Sequence, residues 1–411
     1  MKLLQILDKQ LVQKTDNTVK LTIGKETKAY PVYKVHLDLL YFNEYNDRIA
    51  TWINGYESDP NNPPFEGMDE IKRNKIIEKF ILETDPAKMR KTKNNIALVS
   101  QKVPGVVLND GRVIDGNRRF TCLRKLREEN PDSNEYNYFE TAILDLDIKD
   151  DRKIIKILEL NLQHATDEKA DYDLIDFVVG TYRTIEVDKT LTLPEYVENS
   201  GEPASKVLER IKLAKLINEY LEFIKLPGQY GYLREKQAYS FFQELLTPLN
   251  KCKTEEEQEK LKKMVFTNYM VGSAVDVRKY LRDINTLIGS DSYVLLTGEQ
   301  KPVIEKVIAL KNKADIKDKE SLENFTKKLS HEKDALSDIT DSILKDFKIS
   351  KVKKTPASVV NKCTVNLRDI DTRLFSSMNS KEREDLALEL KMLKKSLDRI
   401  CKELDSAEEK K

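Results

Sequence analysis

Two arginines just after a glycine, in Asp115-Gly116-Asn117-Arg118-Arg119, are the residues whose types and spacing point most directly to chemistry. A guanidinium is planar, permanently charged and able to grip an oxyanion through two parallel hydrogen bonds. Glycine allows close backbone approach and a left-handed turn. A helix starting here would add unpaired N–H groups and the positive end of its macrodipole. The chemistry implied is anion binding, phosphate above all. The competing reading is a solvated helix start with a local salt bridge to Asp115. The rest of the inventory mostly excludes. Three histidines (His36, His164, His331) argue against a zinc site or a Ser-His triad. Four cysteines (Cys122, Cys252, Cys363, Cys401) lie far apart, with neither CxxC spacing nor a disulfide framework.

The surrounding sequence supplies the elements this motif needs. Residues 103–108 read as a buried strand, Asn109-Asp110-Gly111 as a tight turn and 112–115 as the return strand. Gly116 marks the break before a helix capped by Asn117 or Asp115 and anchored by Phe120, Leu123 and Leu126. Upstream, 19–24 and 31–40 alternate as strands, 54–67 reads as a loop, and 68–82 as an amphipathic helix. A further strand is expected over 139–147. From about 151 the chain reads as helix over 151–165, 168–184, 192–199, 203–225, 234–250, 255–270 and 273–288. The expected class is α+β: a small mixed N-terminal domain followed by helical regions.

VIDGNRRFTCLRKL (113–126) resembles the GERR-type segment of the ParB/sulfiredoxin-like superfamily, whose loop and helix start bind nucleotide phosphates. VHLDLLYFNEYNDR (35–48) is similar to the opening of the ParB N-terminal domain, with Asn46 and Arg48 at the "NPR" positions and Asp47 in place of the proline. IALVSQKVPGVVLNDG (96–111) resembles the family's central strand, and LELNLQHATDEKADYDLIDFVVGTYR (158–183) its ENLQR helix and the helix after it. The resemblance covers roughly 31–225. It implies a nucleoside triphosphate, CTP or ATP, held by Asn46, Arg48, Asp115, Gly116, Asn117, Arg118, Arg119, Asn161 and Gln163. In the family the Glu of ENLQR helps hold a metal and supports hydrolysis. Leu160 stands there and can do neither, His164 replaces the final Arg, and Glu159 is one residue off register. For a Mg2+ ion that leaves Asn161. Nucleotide binding is therefore better supported than turnover, and a weak nucleoside triphosphatase activity is left open. The sulfiredoxin branch needs a Cys directly before its His-Arg. Cys122 instead follows the arginines and reads as a small buried helix residue.

LTLPEYVENSGEPASKVLERIKLAKLI (191–217) carries the spacing of a helix-turn-helix, with Val197, Gly201 and Val207 at its key positions. Leu193, Leu208 and Ile211 would fill its core. The second helix would offer Ser205, Lys206, Arg210, Lys212 and Lys215 to double-stranded DNA, as the family's organisation implies. The bland alternative is any two-helix corner with a glycine turn. Near the C-terminus, Leu386, Leu390, Leu393, Leu397, Ile400 and Leu404 are spaced 4, 3, 4, 3, 4, an a/d seam suited to a homodimer. KISKVKKTPAS (348–358) reads as the linker before it. The expected layout is an arm (1–30), the ParB/sulfiredoxin-like domain (31–150), a helix-turn-helix domain (151–226), a helical extension (227–290) and a C-terminal helical region (291–411).

Composition bounds the function. Lys+Arg 71 nearly cancel Asp+Glu 70, so DNA binding must come from a local patch rather than from a polycation. No run of about 18 apolar residues exists to span a bilayer. The N-terminus meets charged residues too soon for a secretory signal. A cytoplasmic protein with no membrane partner is expected. The leading reading is a ParB-like DNA-binding dimer switched by a nucleotide, in plasmid partition, regulation or phage defence, with a partner ATPase or nuclease. The alternatives are an NTPase- or nuclease-associated component of a DNA-modification or defence system, and a structural adaptor with a degenerate nucleotide pocket.

Overall fold

A computed structural model describes residues 2–7, 10–24, 26–59, 62–165, 173–353 and 356–408. The fold is α+β: a six-stranded mixed sheet near the N-terminus, then helices. The strands are β1 (Val12–Ile23), β2 (Glu26–His36), β3 (Tyr41–Phe42), β4 (Gly105–Leu108), β5 (Arg112–Asp115) and β6 (Tyr138–Leu144). Their order across the sheet is β1-β2-β6-β4-β5-β3. β4 runs parallel to β6 and β5 parallel to β3, and the other pairs are antiparallel. Residues 12–30 are not an arm. β1 and β2 form a long hairpin, paired from Val12↔Val35 to Ile23↔Glu26. β1 is an edge strand, so its Lys, Asp and Thr side chains can face water and disguise its period.

Four helices cover one face of the sheet: α1 (Asp47–Glu57), α2 (Glu70–Thr84), α3 (Pro86–Val99) and α4 (Asn117–Glu129). α1 runs into the stretch expected to be a loop, because Ile49, Ala50 and Ile53 share a buried side. α3 takes Ile96–Val99 into a helix, capped by Asp85, which accepts from the Lys88 N–H at 3.0 Å, with Pro86 at its first position. The opposite face is covered by α5 (Arg152–Ala165), through Ile155 and Leu158 against Leu21, Val106, Leu108, Ile114 and Leu144. β4 is paired on both sides and buried at all four residues, hence its unbroken apolar run.

Helical packing begins on the far end of α5. Leu160 packs with Leu191, Tyr196, Val207 and Ile211, from α7 (Leu193–Ser200), α8 (Ala204–Phe223) and the approach to α7. α6 (Leu174–Tyr182) and α9 (Tyr230–Glu235) meet α1 through the buried Asp176–Arg234 ion pair, to which Thr51 donates. The helix expected over 234–250 is two, α9 and α10 (Tyr239–Leu249), broken where Gln237 takes φ 49°. There follow α11 (Glu255–Val271), α12 (Val277–Leu287), α13 (Asp291–Lys313), α14 (Lys319–Lys327) and α15 (Ser330–Lys353). Residues 166–172, part of the helix expected over 168–184, lie outside the described residues.

Contacts divide the chain into two compact units, Met1–Asp341 and Ser342–Lys411. The boundaries expected at 150, 226 and 290 fall inside the first, since α5 serves the sheet core and the helical core together. In the second unit α15 continues through Lys353, α16 is Pro356–Arg368 and α17 is Ser380–Glu408. Along α17 the apolar seam is solvent-exposed at Leu390, Leu397, Ile400 and Leu404. Among the described residues no helix is long and apolar enough to cross a membrane.

A Cβ on Gly105 would lie 2.3 Å from Phe139 Cζ and 2.8 Å from the Asp115 carbonyl oxygen. Gly105→Ala should cost about 1–3 kcal/mol by overpacking, read from urea denaturation midpoints. The double variant with Phe139→Leu should lose less than the sum of the single losses. Strict additivity would show that the ring is not the obstacle.

Candidate functional site

β5 delivers Asp115 to one end of the sheet, and Gly116 turns there in the left-handed region, at φ 95° and ψ 19°. A Cβ on Gly116 would lie 2.9 Å from Phe139 Cζ and 3.1 Å from an Arg119 nitrogen, so dihedral and space both require glycine. α4 then starts with no side-chain cap and no acidic residue in its first turn. Its positive end is therefore not neutralised from within. Asp115 to Arg119 are all half-buried.

The two arginines differ. Arg119 folds back, Nη2 donating to Asp115 Oδ2 at 2.8 Å and Nη1 to the Val103 carbonyl at 3.1 Å. That is the local salt bridge allowed for above. Arg118 lies near Cys122, where burial pushes the thiol up to about 11 against the pull of Arg118 and Lys93. Cys122 is a core residue whose Sγ reaches the Met89 carbonyl at 3.6 Å. A thiol of this kind is a poor nucleophile. The side-chain oxygen of Asn117 is buried without a hydrogen-bond partner.

Asn46 is buried, and its carbonyl accepts from the Ile49 and Ala50 N–H groups at 2.9 Å, opening α1. Because β3 runs parallel to β5 with Phe42 beside Val113, the chain after each strand leaves the sheet at the same end. The side chains of Arg48 and Gln163 lie outside the described residues. Asn161 points elsewhere: its amide donates to the Thr22 carbonyl at 3.3 Å, near the hairpin tip, at the opposite edge from β3 and β5. Glu159 faces the β3 end from α5, together with Lys156. It is buried, accepts from Asn43 Nδ2 at 3.0 Å and lies 3.6 Å from Lys156 Nζ. Two positions along a helix turn a side chain by about 200°, so Glu159 and Asn161 cannot share an ion. A Mg2+ ion asks for near-octahedral oxygen ligands. These two residues do not supply them, and no group of three or more His, Cys, Asp or Glu among the described residues is placed to hold a metal. The signal for Glu159 was the apolar register of α5: Leu158 packs on the sheet and Leu160 on the helical core, leaving Glu159 between them.

The two-helix corner has its glycine turn, Gly201 at φ 67° closing α7. Val207 and Ile211 are buried there, whereas Leu208 is exposed. Arg210 is no candidate for DNA contact. It is buried, paired with Glu202, and its guanidinium lies 4.2 Å from the centre of the Phe177 ring. Ser205, Lys206, Lys212 and Lys215 are exposed. Ser205, Leu208, Glu209 and Lys212 form one wall of a groove of about 670 Å3 whose other wall is α10, through Gln243 and Glu244. Lys215 lies 3.9 Å from Glu186. Of the three exposed lysines of α8, Lys212 thus shares the groove with Glu209 and Glu244, and Lys215 lies beside Glu186. No family model matches this chain, and no curated protein matches it.

Arg210→Ala should lower stability by about 3–5 kcal/mol, because it strands Glu202 in a buried pair. Lys206→Ala should change it by less than about 0.5 kcal/mol. Chemical denaturation of both variants checks this, and equal small effects would return Arg210 to the surface.

Proposed function

We propose that this chain is a ParB/sulfiredoxin-like nucleotide-binding protein that acts on DNA as a dimer. In this reading the triphosphate tail of CTP or ATP sits on the start of α4. The backbone N–H groups of its first turn and Arg118 hold the phosphates, and Arg119 with Asp115 shapes the turn. The observation that carries the reading is the left-handed Gly116 ahead of an uncapped helix with no acidic first-turn residue. Binding there would act as a switch if it favours one arrangement of the following helices. The exposed lysines of α8 then meet DNA phosphates, and the seam of α17 joins two copies. Any Mg2+ would come with the phosphates. The proposal does not extend to hydrolysis, since Leu160 lies in the helical core and Glu159 serves Asn43. Plasmid partition, regulation and phage defence, with a partner ATPase or nuclease, all fit this activity.

The ion pair of Arg119 with Asp115 favours a second reading, a structural adaptor whose nucleotide pocket has degenerated. Thermal unfolding with CTP, ATP and GTP separates the two. A gain of about 2–3 kcal/mol at a hundredfold excess over Kd is expected with at least one nucleotide. Arg118→Ala should abolish it while keeping the fold. No gain with any of the three leaves the adaptor. Deleting 380–411 should convert a dimer to a monomer by light scattering, and a monomeric full-length chain would refute the seam as an interface.

A further inference from the structure

The 14 residues of α3, PAKMRKTKNNIALV, hold four basic residues and no acidic one. The helices packed beside it mix signs: α2 carries Glu70, Glu78 and Glu83 among its basic residues, and α4 ends on Glu128-Glu129. Lys88, Arg90, Lys91 and Lys93 all fall within the first eight residues of α3, and its last turn holds no basic residue. The helix dipole favours cations at the opposite end, so helix stability gives no reason for this placement. Met89 and Ile96 turn toward the core. On the solvent side Arg90 and Lys91 are exposed, followed one turn on by the exposed Asn94 and Asn95. Lys88 lies 3.6 Å from Asp85, and Lys93 donates to Glu129 at 2.6 Å. The side chains of Arg90 and Lys91, by contrast, have no ion pair or hydrogen bond among the described residues. Leu98, one turn beyond Asn94, is 83 % exposed, so the row continues to the end of the helix without being covered.

We propose, resting on the DNA-binding reading above, that α3 is a second DNA-contacting element whose solvent face lies in the major groove of a duplex. The groove admits an α-helix, and α3 is about 21 Å long at the usual rise per residue. Arg90 and Lys91 donate to phosphates and to guanine edges, Asn94 and Asn95 pair with adenine edges, and Leu98 lies against thymine methyl groups. An acidic peptide would engage the two cations alone. The asparagine amides each offer a donor and an acceptor together, and an adenine edge presents the matching pair. α8 does not offer the same face: Arg210 is buried, and Lys212 and Lys215 lie beside carboxylates.

Fluorescence anisotropy of the full chain with a random-sequence duplex, in the absence of nucleotide, tests this between about 50 and 200 mM sodium chloride. Saturable binding is expected, with affinity falling steeply as salt rises. Arg90→Gln with Lys91→Gln should flatten the log–log salt slope by about two. Both positions are exposed and unpaired, so circular dichroism should show an unchanged fold. Asn94→Ala with Asn95→Ala should keep the slope, and the duplexes that the wild type selects from the pool should lose their enrichment. Unchanged enrichment takes α3 out of the groove and overturns the proposal. A slope that the Arg90 and Lys91 substitutions leave unmoved, on a wild type that binds duplex, overturns it too and leaves the DNA-binding reading standing. No saturable binding by the wild type overturns both. Displacement of the duplex by poly-glutamate at equal charge concentration would make α3 a general anion surface and likewise overturn the proposal.

Discussion

One aromatic ring fixes the geometry on which the candidate site depends. Phe139 is fully buried at the start of β6, and its edge presses against Gly105 on β4 and Gly116 at the mouth of α4. Phe120 leans on it from α4 at 5.8 Å, and Phe42 leans on Phe120 at 4.9 Å. Any side chain at either glycine would have to move the ring, and the ring cannot move without disturbing the core between sheet and helices. The left-handed turn at Gly116 is thus held by packing rather than by a cap. The first turn of α4 can stay uncapped because the core, not a side chain at its end, sets where the helix begins.

α5 distributes three surfaces over one helix. Ile155 and Leu158 close the sheet core, Leu160 closes the helical core, and Lys156 with Glu159 turns polar groups toward the end of β3. This sharing explains why contacts do not separate a small α+β domain from a helix-turn-helix domain, as a boundary at 150 would require. Through Leu160 the same helix also packs against the two-helix corner.

Much of the sheet was readable in the residues. The apolar run of β4, the Asn-Asp-Gly turn, the return strand and the glycine before α4 follow from local chemistry that needs no tertiary information. What escaped depended on partners distant in sequence. β1 hides its period because one edge faces water, and α1 hides behind Asn54-Gly55. Arg119 and Arg210 read as exposed donors, yet Asp115 and Val103 engage the first, and Glu202 and Phe177 the second. Glu159 looked one position off a motif, but helical geometry turns it and not Asn161 toward the β3 end. Side-chain direction along a helix decides such questions, and a motif string does not carry it.

The central claim is that the first turn of α4 receives phosphates through its backbone. Amide-resolved NMR of the full chain, titrated with CTP and with ATP, tests it most directly. The expected result is saturable shifts at the Gly116, Asn117 and Arg118 amides that share one binding isotherm with either nucleotide. Saturable shifts confined to other segments, with those three amides unmoved, would contradict it.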